Sequence, residues 1–154
     1  MNYPSTPSMK SEDVILLLGR LALGAIFVKS GLAKLLALSA FAASLAGRGV
    51  PQAETWAVIG ATVEFVGGIM IVTGFRVRPA ALLMILFVIV ATGISHRYWD
   101  FTDAAARRLQ ESQFFKNLSI MGGFILLFAT GPGRFSLDGW LASRRRSRTP
   151  DPLR

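Results

Sequence analysis

The sequence contains no cysteine and a single histidine, His96. The first absence excludes disulfides, thiolate nucleophiles, iron–sulfur ligation and Cys-type zinc sites. The second excludes a bis-histidine haem or a multi-His metal site built from this chain alone. Charge is scarce as well: 17% of residues are Asp, Glu, Lys or Arg, against about 25% in an average soluble domain. Acidic residues are the scarcer sign, 9 against 17 Lys plus Arg, for a net charge of +8. What is abundant is apolar: 52% of the 154 residues are hydrophobic and the mean hydropathy is +0.48.

A strongly basic chain invites nucleic acid or an anionic membrane surface. The aromatic residues lie mostly inside apolar stretches rather than between the arginines, and no helix-turn-helix or zinc pattern occurs, so nucleic acid is not expected as a partner. Four apolar runs, roughly residues 13–37, 52–75, 79–97 and 113–131, are each long enough at ~1.5 Å per residue to cross a ~30 Å hydrocarbon core. They predict an all-α fold, a bundle of four transmembrane helices over residues 13–139. Pro51 and Pro79 suit first helical turns, and Gly131-Pro132-Gly133 suits a stop.

Residues 1–12 read as a disordered tail rather than a signal peptide, because the first span is too long and carries Arg20 and Lys29. Residues 140–154 read as a solvated basic tail, with Arg144, Arg145, Arg146, Arg148 and Arg154 placed to touch anionic lipid headgroups. An even number of spans puts both termini on one side. That side holds Lys10, Arg76, Arg78, Arg134 and the tail arginines, against Lys34, Arg48, Arg97, Arg107, Arg108 and Lys116 on the other, which favours cytoplasmic termini.

An ionisable residue inside a membrane helix costs ~2.5 kcal/mol or more and normally faces a partner or a wet cavity. Arg20 lies ~10 Å and Glu64 ~15 Å from the same face by residue count, so an intramembrane Arg20–Glu64 ion pair is expected, as a register-fixing staple or as a functional site. Lys29 points away from Arg20 and needs another neighbour or must snorkel outward. The glycines Gly24 and Gly31 on the first span, Gly60, Gly67 and Gly68 on the second, and Gly122 and Gly123 on the fourth are expected to let helices approach closely. Near the outward face Lys34, Glu54, His96, Lys116 and Asn117 come from all four spans and could form a pocket for an anionic or quinone-like headgroup, with Tyr98 and Trp99 alongside. The competing reading is an ordinary interfacial belt.

The chain resembles the DoxX family of small four-helix membrane proteins over about Leu17 to Gly139. The resemblance rests on the first-span arginine with Ser30-Gly31-Leu32-Ala33-Lys34, on Gly49-Val50-Pro51, on Glu64-Phe65-Val66-Gly67-Gly68 with Thr73-Gly74, and on Arg78. It continues in His96-Arg97-Tyr98-Trp99, Lys116-Asn117-Leu118 with Gly122-Gly123, and the closing Gly131-Pro132-Gly133 and Ser136-Leu137-Asp138. It implies a multi-pass protein of the cytoplasmic (inner) membrane with a redox-linked or accessory role, and it marks Arg20, Lys34, Glu64, His96, Lys116 and Asn117 as the family's polar positions. No cofactor ligand transfers with it. The expected function is therefore a redox-linked accessory or quinone-interacting subunit with no catalytic constellation of its own, working with an oxidoreductase subunit or as a homo-oligomer. A lipid-binding or transport-related protein and a structural assembly factor are the alternatives.

Overall fold

The computed structural model describes residues 9–146, with side chains from 11 to 144. The first helix, α1, runs Met9–Leu36 and is followed by a short α2, Leu38–Ala46. The remaining elements are α3 (Ala53–Thr73), α4 (Val77–Ser95), a 3₁₀ turn at Tyr98–Asp100, α5 (Ala104–Thr130) and α6 (Leu137–Arg146). Four of these, α1, α3, α4 and α5, are long and apolar enough to cross a membrane, and the described residues contain no strand. The four-span all-α fold is thus the observed one. Large apolar side chains such as Leu18, Leu86, Ile125 and Leu126 are exposed around its outside, as a lipid-facing surface requires.

The helix ends explain the boundaries. Thr73 hands over to Gly74 in the left-handed region (φ 73°), whose N–H bonds the Ile71 carbonyl while Phe75 N–H bonds that of Met70. This double closure ends α3 in a Schellman turn. Arg76 follows, also left-handed (φ 44°), and the strain is held by Asp138, whose carboxylate accepts from Arg76 N–H at 2.9 Å and Val77 N–H at 3.1 Å. Asp138 therefore caps α4 from 61 residues away. Asp103 caps α5 locally, accepting from Ala106 N–H at 2.8 Å, which is why α5 begins nine residues before the expected span: its first turns, with Arg107, Arg108 and Glu111, are polar and stand outside the apolar layer.

Other boundaries also move. Helix α1 starts at Met9, inside the segment expected to be disordered; residues 1–8 lie outside the described ones. Much of the expected basic tail is helical, because α6 extends to Arg146; residues 147–154 lie outside the described ones. Helix α2 folds back on the start of α3, burying Ala42 and Leu45 against Ala57.

The tightest seam is α1 on α3. A Cβ added at Gly31 would lie 2.6 Å from Phe65 N, and one at Gly68 2.8 Å from Val28 N. The contacts pair Gly24 with Val72, Val28 with Gly68 and Gly31 with Phe65. The numbers fall on one helix as they rise on the other and always add to 96, so the helices are antiparallel in fixed register. Gly67 faces Met84 and Gly123 faces Leu23 at similar closeness. Two glycines do not match the expectation: Gly60 makes only an ordinary contact with Phe41, at 3.8 Å, and Gly122 faces open space because it lies on the exposed side of α5. The main core, with Phe27, Ile71, Met84, Val88 and Phe124, sits between the four long helices.

Overpacking a tight site costs about 1–3 kcal/mol. Gly31→Ala is expected to destabilise the detergent-solubilised protein by that amount, read as a lower thermal unfolding midpoint, whereas Gly122→Ala should leave its stability within about 0.5 kcal/mol of wild type. Equal midpoints for the two variants would remove the seam argument.

Candidate functional site

The buried face of α1 carries Arg20, Gly24, Phe27, Gly31 and Lys34 on one stripe. The two cations on it lie 14 residues apart, ~21 Å, and reach different ends of the bundle. In the α1–α3 register Arg20 is level with residue 76, just past the end of α3, while Glu64 is level with residue 32. The expected Arg20–Glu64 pair is therefore not formed; some twelve residues, ~18 Å, separate the two levels. Counting depth from each helix's own end missed this, because α1 starts well before the level at which α3 ends.

Glu64 pairs instead with Lys34, Nζ to Oε2 at 2.5 Å, and the Glu64 side chain is only 5% exposed. Lys34 Nζ also lies 5.1 Å from the centre of the Phe41 ring, a cation–π contact supplied by α2. Arg20 is buried at the end carrying both described termini, where Nη2 donates to the Phe135 carbonyl; Nε and Nη1 have no hydrogen-bond partner among the described residues. A Cβ at Gly74 would strike its guanidinium, so glycine there serves both the turn and the arginine. Asp13 accepts from Arg134 N–H at 2.7 Å, and Asp138 N–H donates to the Gly74 carbonyl at 3.0 Å. Together with the Asp138 cap, these bonds strap residues 134–138 across the end of the bundle. Asp13 was not singled out from sequence and Asp138 entered only as the end of the Ser136-Leu137-Asp138 motif, since a carboxylate serving distant backbone N–H groups leaves no local pattern.

At the opposite end Ser30, Lys34, Glu64, His96, Lys116 and Asn117 line a cavity of about 150 Å³, over an apolar floor that includes Phe27, Phe87, Val88 and Ile120. The structure thus brings together Lys34, His96, Lys116 and Asn117 from the expected pocket and adds Glu64 to them. It does not bring in Glu54, the second residue of α3, which lines a separate open groove of about 760 Å³ between α2 and α3. His96, Lys116 and Asn117 are each held by a neighbouring side chain. His96 Nδ1 lies 2.8 Å from the side-chain oxygen Oε1 of Gln110, to which an Nδ1–H donates. Asn117 Nδ2 donates at 2.8 Å to Thr92 Oγ1, and Lys116 Nζ donates to Gln113 Oε1. Thr92, four residues before His96, was the available sequence signal for this network. Tyr98 and Trp99 stack edge-on with Phe114 beside the mouth, at 5.6 and 6.0 Å.

Removing one partner of a buried ion pair costs about 3–5 kcal/mol, because the other charge is left uncompensated. Lys34→Met is expected to lower stability by about 3 kcal/mol, with most of that recovered in Lys34→Met/Glu64→Leu. A double-mutant cycle measured by thermal unfolding should show strong coupling between positions 34 and 64 and none between 20 and 64. The reverse pattern would restore the Arg20–Glu64 pair.

Residues 15–97 match the DoxX family model. The chain is 39% identical to the inner membrane protein YphA of Escherichia coli, over 83% of its own length and 91% of that protein's. It is 33% identical to the Escherichia coli inner membrane protein YqjF, over 84% and 93%. A shorter stretch, 45% of the chain, is 37% identical to 23% of the Surfeit locus protein 4 homolog of Schizosaccharomyces pombe. No solved structure matches. With its four long apolar helices and its likeness to two inner membrane proteins along nearly their whole lengths, the chain belongs to the DoxX family and is a multi-pass protein of the inner membrane.

Proposed function

We propose that the protein is a redox-linked accessory subunit that holds the headgroup of a quinone in the cavity at the far end of the bundle, both termini lying in the cytoplasm. One observation carries this reading: Lys34, Glu64, His96, Lys116 and Asn117 line one cavity over aromatic side chains. Its volume, about 150 Å³, is below the ~300–1,000 Å³ of sites that enclose a drug-sized ligand. It suits a single small ring whose tail leaves sideways past Ile26, a cavity-lining residue that is also exposed to lipid. Lys116 and the second Asn117 N–H offer donors to a carbonyl oxygen, and the His96 Nε2 is the ring nitrogen that Gln110 leaves open to a hydroxyl. A bound quinone would supply the two-electron chemistry, and the chain's residues bind and orient it.

The test is solvent extraction and mass spectrometry of protein purified in mild detergent. Wild-type protein should carry a lipid-soluble quinone, and Asn117→Ala with His96→Ala should reduce its content about tenfold, the equivalent of ~1.4 kcal/mol of lost binding. Clean protein with neither a quinone nor an oxidoreductase partner overturns the reading.

The same proposal places α6 in the plane of the cytoplasmic leaflet. Leu137, Trp140 and Leu141 form an exposed apolar stripe, and the Arg144 guanidinium lies 3.9 Å over the Trp140 ring. Apolar burial plus attraction to anionic headgroups is how interfacial helices bind. In a Trp56→Phe/Trp99→Phe protein, Trp140 emission is expected to move to shorter wavelength in phosphatidylglycerol vesicles relative to phosphatidylcholine; identical spectra in the two would count against this placement.

A further inference from the structure

Lys29 is exposed on α1 and has no hydrogen bond or ion pair among the described residues. It does not line the cavity. In the α1–α3 register it is level with Gly67, and it lies two residues from Phe27, whose ring meets those of Phe87 and Phe124 at 6.4 and 5.5 Å in the core. Seven residues, ~10 Å, separate it from the end of α1 at Leu36. Side chains on an α-helix lean toward the helix N-terminus, so the Lys29 stem leans away from that nearer end and toward the middle of the bilayer. Its neighbours on the same exposed side, Ala22, Ala25, Ile26, Leu32 and Ala33, offer no oxygen-bearing side chain. An ammonium held in hydrocarbon finds a partner, and this bundle provides none.

Among the described residues, the acids of a second copy are poorly placed to supply one. A two-fold dimer through this face would set Lys29 against Lys29. Glu64 is taken by Lys34, Glu54 stands at the far-end start of α3, and Glu111 lies in the polar first turns of α5. Anionic lipid headgroups sit at the surface, outside the layer that Phe27 marks.

We propose that the outer face of α1 around Lys29 docks a transmembrane helix of a different protein, one that carries an Asp or Glu in the apolar layer and completes the ion pair. The exposed alanines at 22, 25 and 33 leave room for that helix to come close. The proposal is independent of what the cavity binds.

Photo-crosslinking tests it, with benzoylphenylalanine in place of Ala25 in the full chain in its native membrane and the same probe at Leu86 on α4 as control. The expected result is a product specific to position 25, whose partner peptide is an apolar helix with an Asp or Glu within one turn of the crosslink. Lys29→Met should reduce its yield at least about tenfold while leaving the gel-filtration profile of the purified chain unchanged, and Lys29→Arg should retain it. Lys29→Asp should abolish the product, and exchanging the partner's acid for Lys should restore it. A crosslink to a second copy, a partner segment without a carboxylate, or a yield indifferent to Lys29→Met overturns the proposal. A charge-dependent crosslink from quinone-free protein would sink the cavity reading alone, and bound quinone without the crosslink would sink this one alone.

Discussion

The close antiparallel packing of α1 on α3 decides where every charge in the bundle goes. Gly31 and Gly68 bring the two backbones together so tightly that their register cannot slide without a side chain striking main chain. Once Gly31 is opposite Phe65, Lys34 has to fall beside Glu64 and Arg20 has to fall beside Gly74. A one-turn slip, ~5.4 Å, would leave the Glu64 carboxylate facing apolar side chains, a cost comparable to the whole net stability of many domains. Packing and electrostatics therefore enforce the same register.

The consequence is a molecule whose two ends use their charges differently. At one end, Asp13, Arg20 and Asp138 are spent on backbone groups of residues 76–77 and 134–135, turning polar side chains into fasteners for a loop. At the other end, the Lys34–Glu64 pair neutralises itself and leaves His96, Lys116 and Asn117 with side-chain partners only. Side-chain partners can exchange for a ligand at modest cost, since one hydrogen bond replaces another of similar net worth, ~1 kcal/mol. Backbone fasteners cannot, because releasing them frees the chain they hold. That asymmetry is what favours the cavity, rather than the strap, as the ligand site of the proposed function.

Run length alone made the four spans legible, because a bilayer imposes its thickness on any helix that crosses it. The cavity was legible nearly as well: Lys34, His96, Lys116 and Asn117 sit at corresponding ends of successive spans, and antiparallel connectivity is enough to gather such residues. What could not be read was anything that depends on register between helices that are not neighbours in sequence. Arg20 and Lys34 share a stripe and both are cations; only the 96-sum pairing with α3 distinguishes which one reaches Glu64. Nor could composition show that Glu54, on the same helix as Glu64, would be diverted to a groove by α2. The basic tail misled for a related reason: a run of arginines reads as solvated, but Leu137, Trp140 and Leu141 precede it at helical spacing, and α6 begins one residue before the cap that Asp138 makes for α4.

Lys34 and Lys29 are five residues apart on one helix and have opposite fates, and the contrast sets out what this bundle can do alone. Lys34 lies on the packed stripe, where α3 brings a carboxylate and α2 an aromatic face. Lys29 lies ~140° round the helix from it, at 100° per residue, on a side that no other element of the chain covers. If intramembrane charge were merely tolerated, both sites would be free to drift toward apolar residues without loss. A four-helix bundle of this size has too few faces to enclose every helix completely, so a charge on an outer face has to be satisfied from outside. The bundle is complete as a fold at Lys34, and the partner helix proposed for Lys29 would complete it there as an assembly.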